Sequence, residues 1–406
     1  MLATIANITT NLYNFGKIKA LVKNIKMKIL FIVSDFDMGG ITSSLRNFSE
    51  LLIKKGHEVH VLNLPKKELP EDFDPKIELI ELEGRSRYWD ITAESVFKAK
   101  GLKKVKLLFI GILKKILNKD GKWNKFIFKK SFWMGYDVVV GFRQSPICFY
   151  LTTEKTDALR KLGFWHGDIH SENVASWMHY SYSLDKLACV SNAVAEGIEE
   201  KYPLLKGKTC TVYNVFNGEA IKALAVEPFE GYEENIFNIV TVARVDFVQK
   251  QLDWIPIICE KLKKDGFCFR WYIVGDGPDL KKLCDLITEH QVEDVVLVCG
   301  RQVNPYPYIK NAQLFSLLSS WEAYGMVVME ALICGTPVVS AYYPALSEIL
   351  DNEKNGIISE NSMDGVYRAV KKVLQDKELY NHLKANCIEY KYSNDEVYKS
   401  FLEAVK

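Results

Sequence analysis

The sequence predicts an α/β protein made of two doubly wound parallel-sheet domains. Three observations predict it. Short apolar runs alternate with longer amphipathic ones along most of the chain, and the alternation breaks once, in a stretch rich in Pro, Gly and acids. The length of 406 residues exceeds one ordinary core and suits two of roughly 150 to 200 residues each.

Residues 1–26 read as an extension, either a basic arm or the product of an upstream start codon, because MKILFIVS from Met27 has the form of a strand that opens a domain. Strand candidates follow at KILFIVS, EVHVLNL, IELIEL, YDVVVGF, KLGFW, KLACVS and TCTVYN, with helices such as Thr42–Lys55 and Asn192–Lys201 between some of them. Alternation of strands and helices of this kind implies a parallel sheet covered on both faces. The break falls over 217–234, where EPFEGYEEN supplies the linker. A second alternation runs through NIVTVA, FRWYIVG, VVLVCG, QLFSLLSS, PVVSA and GIIS, with helices over Leu252–Lys264, Leu280–Glu289 and Met326–Cys334. The expected division is therefore an N-terminal domain over 27–216, a C-terminal domain over 235–385, and a closing helix over 386–406 that packs back toward the first domain. Two such domains are expected to put a ligand cleft beside the carboxyl ends of both sets of strands.

Composition narrows the class. A chain 48% apolar and 26% charged is globular, and a net charge of +2 gives no general attraction to nucleic acid. Nine cysteines, scattered at positions such as Cys148, Cys189, Cys259 and Cys334 without a CxxC pair, indicate reduced thiols rather than disulfides or structural zinc. No apolar run reaches the length of about 18 residues that crosses a bilayer, and the first residues lack a signal-peptide profile. A cytoplasmic location is expected. Charge is nonetheless uneven: Phe97 to Lys130 holds 12 lysines and a single acid, Asp120, interleaved with large apolar residues. Its run LLFIGIL is seven residues long, enough to lie on an anionic membrane surface and too short to span one. A lysine-rich solvated helix packed on its own domain is the plainer alternative, and single-stranded nucleic acid a weaker third reading, since no recognised nucleic-acid motif accompanies the segment.

The richest segment is SSWEAYGMVVMEALICGTPVVSA, residues 319–341. It sets Glu322 and Glu330 eight positions apart. If both were helical they would stand about 80° apart, so a loop position for Glu322 and an early helical position for Glu330 is expected. Glu330 shares its face with Val327 and Cys334, and is expected to be largely buried and to need a partner. Arg244 and Glu322 follow strand candidates, and Lys250 lies six residues beyond Arg244, so strand ends can bring them to one rim. Arginine and lysine offer a fork and a point charge for a diphosphate. A helix start near Gly325 and Met326 would add N–H groups and a favourable dipole. Glu330, with acceptor oxygens only, suits paired ribose hydroxyls. For Arg244 and Lys250 the plain alternative is an ordinary solvated loop.

Gly275 and Gly277 in YIVGDGPDL make a strand-to-helix turn, with Pro278 suited to the first helical turn. Leu280 stands where a dinucleotide fingerprint would carry its third glycine, which disfavours a nicotinamide oxidoreductase. Gly39 and Gly40 precede a helix and either let a ligand approach the backbone or form a flexible turn. Asp35 and Asp37 mimic a metal-binding DxD pair, a common spacing. In GFWHGDIHSE, His166, Asp168 and His170 could hold a divalent ion, as in a metal-dependent hydrolase, or serve as a hydrogen-bonding loop, His166 touching substrate.

Together these residues resemble the retaining glycosyltransferases of family 4, whose GT-B architecture faces two Rossmann-like domains across a central cleft. The resemblance runs from Met27 over nearly the whole chain. It is strongest in VARVDFVQK, WYIVGDGPDL and EAYGMVVMEALICGTPVV through NGIIS, and weaker in MGGITSSL, WHGDI, VSNAV and VYNVF. It implies transfer of a hexosyl or N-acetylhexosaminyl unit, with retention, from a nucleotide diphosphate sugar expected to be UDP-linked. No metal and no other cofactor is implied. The expected acceptor is lipid-linked or a polysaccharide, in cell-envelope or capsule synthesis, with the protein peripheral on the cytoplasmic face of the membrane through 97–130. By motif, Arg244 and Lys250 hold the diphosphate, Glu330 the ribose and Glu322 the donor-sugar hydroxyls. His166 resembles a first-domain histidine near the donor sugar, and Gly40 belongs to a loop touching phosphate or acceptor. Gly275, Tyr324, Gly325 and Met326 complete the donor-binding set; Glu322, His166, Arg244 and Lys250 form the catalytic set.

Two departures stand out. The Arg244-to-Lys250 spacing is one residue longer than the family's, and Ala323 replaces the glycine that usually follows the first glutamate. The alternatives are a sugar-nucleotide epimerase or hydrolase of the same fold, and a nucleotide-sugar-binding regulator without catalysis.

Overall fold

The computed structural model describes residues 26–34, 39–64, 68–89, 91–118, 122–129, 132–167, 169, 178–233 and 235–406. Residues 1–25 of the extension, Asp35, Asp37, Asp168 and His170 lie outside the described residues.

Seven strands form the first sheet: β1 (Lys28–Val33), β2 (Glu58–Asn63), β3 (Glu78–Ile80), β4 (Val138–Gly141), β5 (Arg160–Trp165), β6 (Lys186–Cys189) and β7 (Thr209–Thr211), in the order β3-β2-β1-β4-β5-β6-β7. β1 pairs parallel with β2 and β4, β2 with β3, β4 with β5 and β6 with β7, Ile29 standing opposite both Val59 and Val138. Central strands are buried along their length, every residue of β4 and Ile29–Val33 of β1. That is why they read as continuous apolar runs: helices cover both faces. Among the helices are α1 (Gly40–Lys54), α2 (Ala93–Lys98), α3 (Gly101–Asn118), α4 (Lys122–Ile127), α5 (Pro146–Glu154), α6 (Asn192–Lys201) and α7 (Gly218–Ala225). Phe31 anchors the first core edge-on, 5.3 Å from Phe142 and 6.1 Å from Phe48 between ring centres.

The second sheet has six parallel strands: β8 (Phe237–Val242), β9 (Phe269–Val274), β10 (Val296–Gly300), β11 (Leu314–Leu317), β12 (Val338–Ala341) and β13 (Gly356–Ser359), ordered β10-β9-β8-β11-β12-β13. Its helices are α8 (Phe247–Lys250), α9 (Trp254–Lys264), α10 (Leu280–Glu289), α11 (Tyr306–Asn311), α12 (Met326–Ile333), α13 (Met363–Gln375), α14 (Lys377–Ile388) and α15 (Asn394–Ala404). Ile239, Ile255, Ile258, Trp271, Leu283 and Val370 are among its core residues, and the Trp271 indole N–H donates to Thr241 Oγ1 at 3.0 Å, so the buried ring leaves no orphan donor. Both sheets are thus doubly wound, and the two-domain α/β expectation holds. No helix among the described residues is long and apolar enough to cross a membrane.

The described residues cluster into two compact units. One ends at Gly163 and includes 178–186 and 405–406; the other holds 164–167, 169, 187–233 and 235–404. Packing therefore divides the chain at a different place from the composition break over 217–234. Within the second unit α7 packs on α11 and α12, and Ser191 Oγ donates to Ala323 O at 2.7 Å. The C-terminal stretch is two helices rather than one, with 389–393 between α14 and α15. Asn394, the first residue of α15, accepts from Phe216 N through Oδ1 (3.2 Å) and donates to Phe216 O through Nδ2 (2.8 Å).

Glu348 makes a further tie in this unit. Its carboxylate accepts from the Asn192 and Ala193 N–H groups that open α6, both at 2.9 Å, and from Tyr213 Oη at 2.9 Å. A carboxylate on a helix N-terminus satisfies otherwise orphaned donors and lies favourably in the dipole. Burial, reinforced by Glu348, pushes the Tyr213 hydroxyl up to about 12. Glu348→Ala is expected to cost about 1–3 kcal/mol, read as a lower thermal midpoint, with Glu348→Gln losing less because its amide oxygen still accepts.

Candidate functional site at the second sheet

In the second sheet the strand order reverses between β8 and β11. The connections leaving these neighbours run to opposite faces, and this switch point opens a crevice at their carboxyl ends. The loops that leave these two strands carry most of the residues singled out by sequence.

Arg244 follows β8. Asp246 holds its guanidinium at 2.7 Å through Oδ2 and uses Oδ1 to accept from Gln249 N at 3.0 Å, which caps the single turn of α8. The Arg244 side chain stays 59% exposed, its fork open toward solvent. Lys250 ends α8, and Gln251 beyond it turns left-handed at φ 50°. The residue added between Arg244 and Lys250 does not carry the lysine away: its Nζ ion-pairs with Glu322 Oε1, both side chains mostly buried at 16% and 14% exposure. Glu322 also accepts from Ser319 Oγ at 2.7 Å. The loops are stitched by Ser320 N donating to Gln249 O at 2.8 Å and Gln249 Nε2 donating to Trp321 O at 3.2 Å.

Glu322 lies in the loop and Glu330 is the fifth residue of α12, as their spacing suggests. Beside Val327, which is also partly covered, Glu330 is more buried than exposed. Tyr306 Oη donates to its Oε1 at 3.4 Å.

The start of α12 is set by Gly325, left-handed at φ 91°, where a Cβ would fall 2.0 Å from Tyr343 Oη. No side chain among the described residues caps this start and its first turn holds no acid, so the positive end of the helix is left for an anion. The other end is the reverse. Lys310 Nζ donates to Cys334 O at 3.1 Å and Lys384 Nζ to Gly335 O at 2.8 Å, two cations on the carbonyl terminus. Burial pushes the Cys334 thiol up to about 12, with Glu330 adding to the effect. Met326 begins α12 half-buried, whereas the Tyr324 ring is 5% exposed and packs against Tyr213 and Phe216 at 5.6 and 6.3 Å. Tyr324 thus offers a neighbouring ligand its backbone and not its ring.

Gly275 and Gly277 have a packing role that sequence did not disclose. A Cβ on Gly275 would lie 1.8 Å from Ala243 O, and one on Gly277 2.2 Å from Val245 O. Their turn presses on the backbone that carries Arg244, bonded by Val245 N to Asp276 O (3.0 Å) and Asp279 N to Val245 O (3.2 Å). Asp279 Oδ2 accepts from Phe247 N at 3.0 Å, and Lys282 together with that N–H holds its carboxyl below the usual carboxylate range. Because Asp279 is committed to this turn, α10 opens at Leu280 and Pro278 stands before its first turn.

The remaining candidates sit on the first sheet. His166 follows β5 with its ring stacked on Phe164, 5.4 Å and 19° apart. Gly40 is the exposed first residue of α1, and beside Gly39 a Cβ would meet nothing within 4 Å. Among the described residues no group of three or more His, Cys, Asp or Glu is arranged to hold a metal ion.

Residues 231–390 match the family model of glycosyl transferases group 1. That segment contains Arg244, Lys250, Glu322 and Glu330. Over 112 residues, 27% of this chain, the sequence is 30% identical to the N-acetyl-α-D-glucosaminyl L-malate synthase of Bacillus anthracis. Over 186 residues, 45% of this chain, it is 25% identical to the Campylobacter jejuni N-acetylgalactosamine-N,N'-diacetylbacillosaminyl-diphospho-undecaprenol 4-α-N-acetylgalactosaminyltransferase. The aligned stretches span 29% and 49% of those relatives' own lengths. A crystal structure of Staphylococcus aureus TarM in complex with fondaparinux, α-GlcNAc-glycerol and UDP shares the fold at a TM-score of 0.67 and 14% identity, covering 94% of this chain and 100% of that one.

Several contributors carried no sequence signal of function. Asp246 is legible only as a helix cap, Asp279 as a turn residue, and Ser319 as one of two adjacent serines. Tyr306 and Tyr343 come from segments distant in sequence.

Proposed function

We propose that this protein is a retaining glycosyltransferase that moves a hexosyl or N-acetylhexosaminyl unit from a UDP-linked sugar to a lipid-linked or polysaccharide acceptor of the cell envelope, at the cytoplasmic face of the membrane. The observation that carries this reading is the clustering at one switch point of Arg244, the Lys250–Glu322 pair and the uncapped start of α12, with Glu330 one turn further on. Cations and helix-end N–H groups suit a diphosphate, and carboxylate acceptors suit sugar and ribose hydroxyls. The N-acetylgalactosaminyltransferase activity of the Campylobacter jejuni relative and the UDP in the TarM crystal support the same class.

In this reaction the bond from the anomeric carbon to the diphosphate breaks, and the acceptor oxygen bonds to that carbon on the same face. The acceptor proton passes to the departing phosphate. Charge builds on the leaving group, where Arg244 and Lys250 stabilise it without a metal or other cofactor. Lys250 must then exchange Glu322 for phosphate, freeing Glu322 to accept from a donor-sugar hydroxyl. His166 and Gly40 are assigned to the donor sugar and to the phosphate or acceptor, with Gly275, Tyr324, Gly325 and Met326 lining the donor through the backbone.

The test is thermal unfolding with UDP-, GDP- and ADP-linked sugars, followed by mass spectrometry of products formed with membrane extract. A UDP-sugar is expected to raise the midpoint by several degrees, and turnover is expected to survive EDTA. Absence of stabilisation by every donor would defeat the reading. Donor consumption without acceptor would favour a hydrolase or epimerase instead.

A further inference from the structure

Helix α3 is amphipathic in an unusual sense: it has two apolar faces. The inner one carries Leu107, which is buried, and Lys114, whose Nζ donates to Ile91 O at 3.2 Å; α3 packs there on α2 and α4. Trp123 of α4 is buried with its indole N–H donating to Trp89 O at 3.2 Å, which fixes that support. The outer face holds Leu102, Val105, Leu108, Phe109, Ile112 and Ile116, each between 53% and 89% exposed. At 100° per residue these six fall within about 120° of arc, a continuous stripe. Isolated exposed apolar residues are ordinary, whereas a stripe three turns or more long marks an interaction surface.

The borders of the stripe say what covers it. Lys104 and Lys115 flank one edge and Lys106 the other; all three are exposed, and the helix contains no acid. The spacing 102, 105, 109, 112, 116 is that of a coiled-coil seam, but a second copy would bring lysines against lysines along both edges. A bilayer with anionic headgroups satisfies both parts at once, apolar side chains entering the acyl boundary and ammonium groups meeting phosphate.

We infer that the outer face of α3 docks this protein on anionic phospholipid, with Phe109 and Ile112 at the centre of the inserted stripe and Lys104, Lys106 and Lys115 as its electrostatic rim. This rests on the surface role within the function proposed above, and it assigns that role to one helix face.

The test is flotation of the full chain with vesicles of phosphatidylcholine alone and of phosphatidylcholine with about one-third phosphatidylglycerol. Partition onto the anionic vesicles is expected to exceed that onto neutral ones by at least tenfold at low salt and to weaken as salt is raised. The double variant Phe109→Glu and Ile112→Glu is expected to lose at least tenfold, with an unchanged thermal midpoint because both side chains are exposed. Replacing Lys104, Lys106 and Lys115 by Gln, which leaves the stripe intact, is expected to abolish the preference for anionic vesicles. Equal flotation of the Glu variant and the parent overturns the inference. So does a dimer in light scattering that the Glu variant makes monomeric, which would give the stripe to a second copy. Flotation uses no sugar nucleotide, so its failure is separate from a failure of donor binding in the thermal assay.

Discussion

Arg244→Ala and Lys250→Ala are each expected to lower the kcat/KM for donor turnover by about 100- to 1,000-fold, the usual effect of deleting one fixed group that stabilises developing charge. The two losses should differ in kind. Arg244 is largely exposed and paired with Asp246, so its removal leaves the fold intact and the thermal midpoint close to that of the parent. Arg244→Lys is expected to recover little, since a point charge cannot reproduce a two-pronged contact. Lys250 is mostly buried and paired with Glu322, so Lys250→Ala strands a carboxylate with Ser319 Oγ as its remaining partner and should also lower stability. The double variant Lys250→Ala with Glu322→Gln separates the effects: stability should return while turnover stays low. Steady-state kinetics with a soluble acceptor, beside thermal unfolding, reads all four variants. Unchanged kcat/KM in Arg244→Ala would remove the diphosphate assignment.

Gly277→Ala and Gly275→Ala are expected to be the most damaging single-methyl changes in the second unit, at about 2–4 kcal/mol each. The added carbon would meet backbone at 2.2 Å from Val245 O or 1.8 Å from Ala243 O, and backbone cannot rotate aside as a side chain can. To make room, the loop must yield its bonds from Val245 N to Asp276 O and from Asp279 N to Val245 O, which aim Arg244. Donor affinity should therefore fall along with stability. Gly266→Ala is the control. Like Gly275 (φ 156°) it has a positive φ, 84°, but open space around the new carbon, and should cost only about 1 kcal/mol from backbone strain. Urea unfolding of the three variants decides the matter. Equal costs would mean that close packing against backbone is not what the two glycines serve.

The architecture was legible because it is written in local pattern. Buried parallel strands such as VVVG and LFSL are apolar or small at every position, and the helices between them carry the 3.6-residue stripe, so both sheets could be read in sequence. The loop position of Glu322 and the early helical position of Glu330 followed from eight residues and a glycine. Pairings across long sequence separations were not legible: Lys250 with Glu322, Tyr343 with the backbone of Tyr324, Asp279 with Phe247. No periodicity encodes them, since they depend on which strand ends the topology makes neighbours. A helix apolar on all sides implies burial, and α12 is buried at Val328, Met329, Ala331, Leu332 and Ile333, with Val327 and Glu330 partly covered. The lysine-rich segment announced its charge in sequence, but only the fold reveals which side of α3 is turned inward.

Phe216 sits edge-on against Tyr392 at 5.3 Å and beside Tyr324 at 6.3 Å, while Asn394 grips its backbone on both sides. Those contacts lie partly before and partly after the stretch that matches the family, 231–390. The match to the family model therefore covers a shorter span than the packing of this unit. An excised piece cut to the matched limits would carry Tyr324 stripped of Tyr213 and Phe216, the rings packed against it, and would bare to water a ring that is buried here.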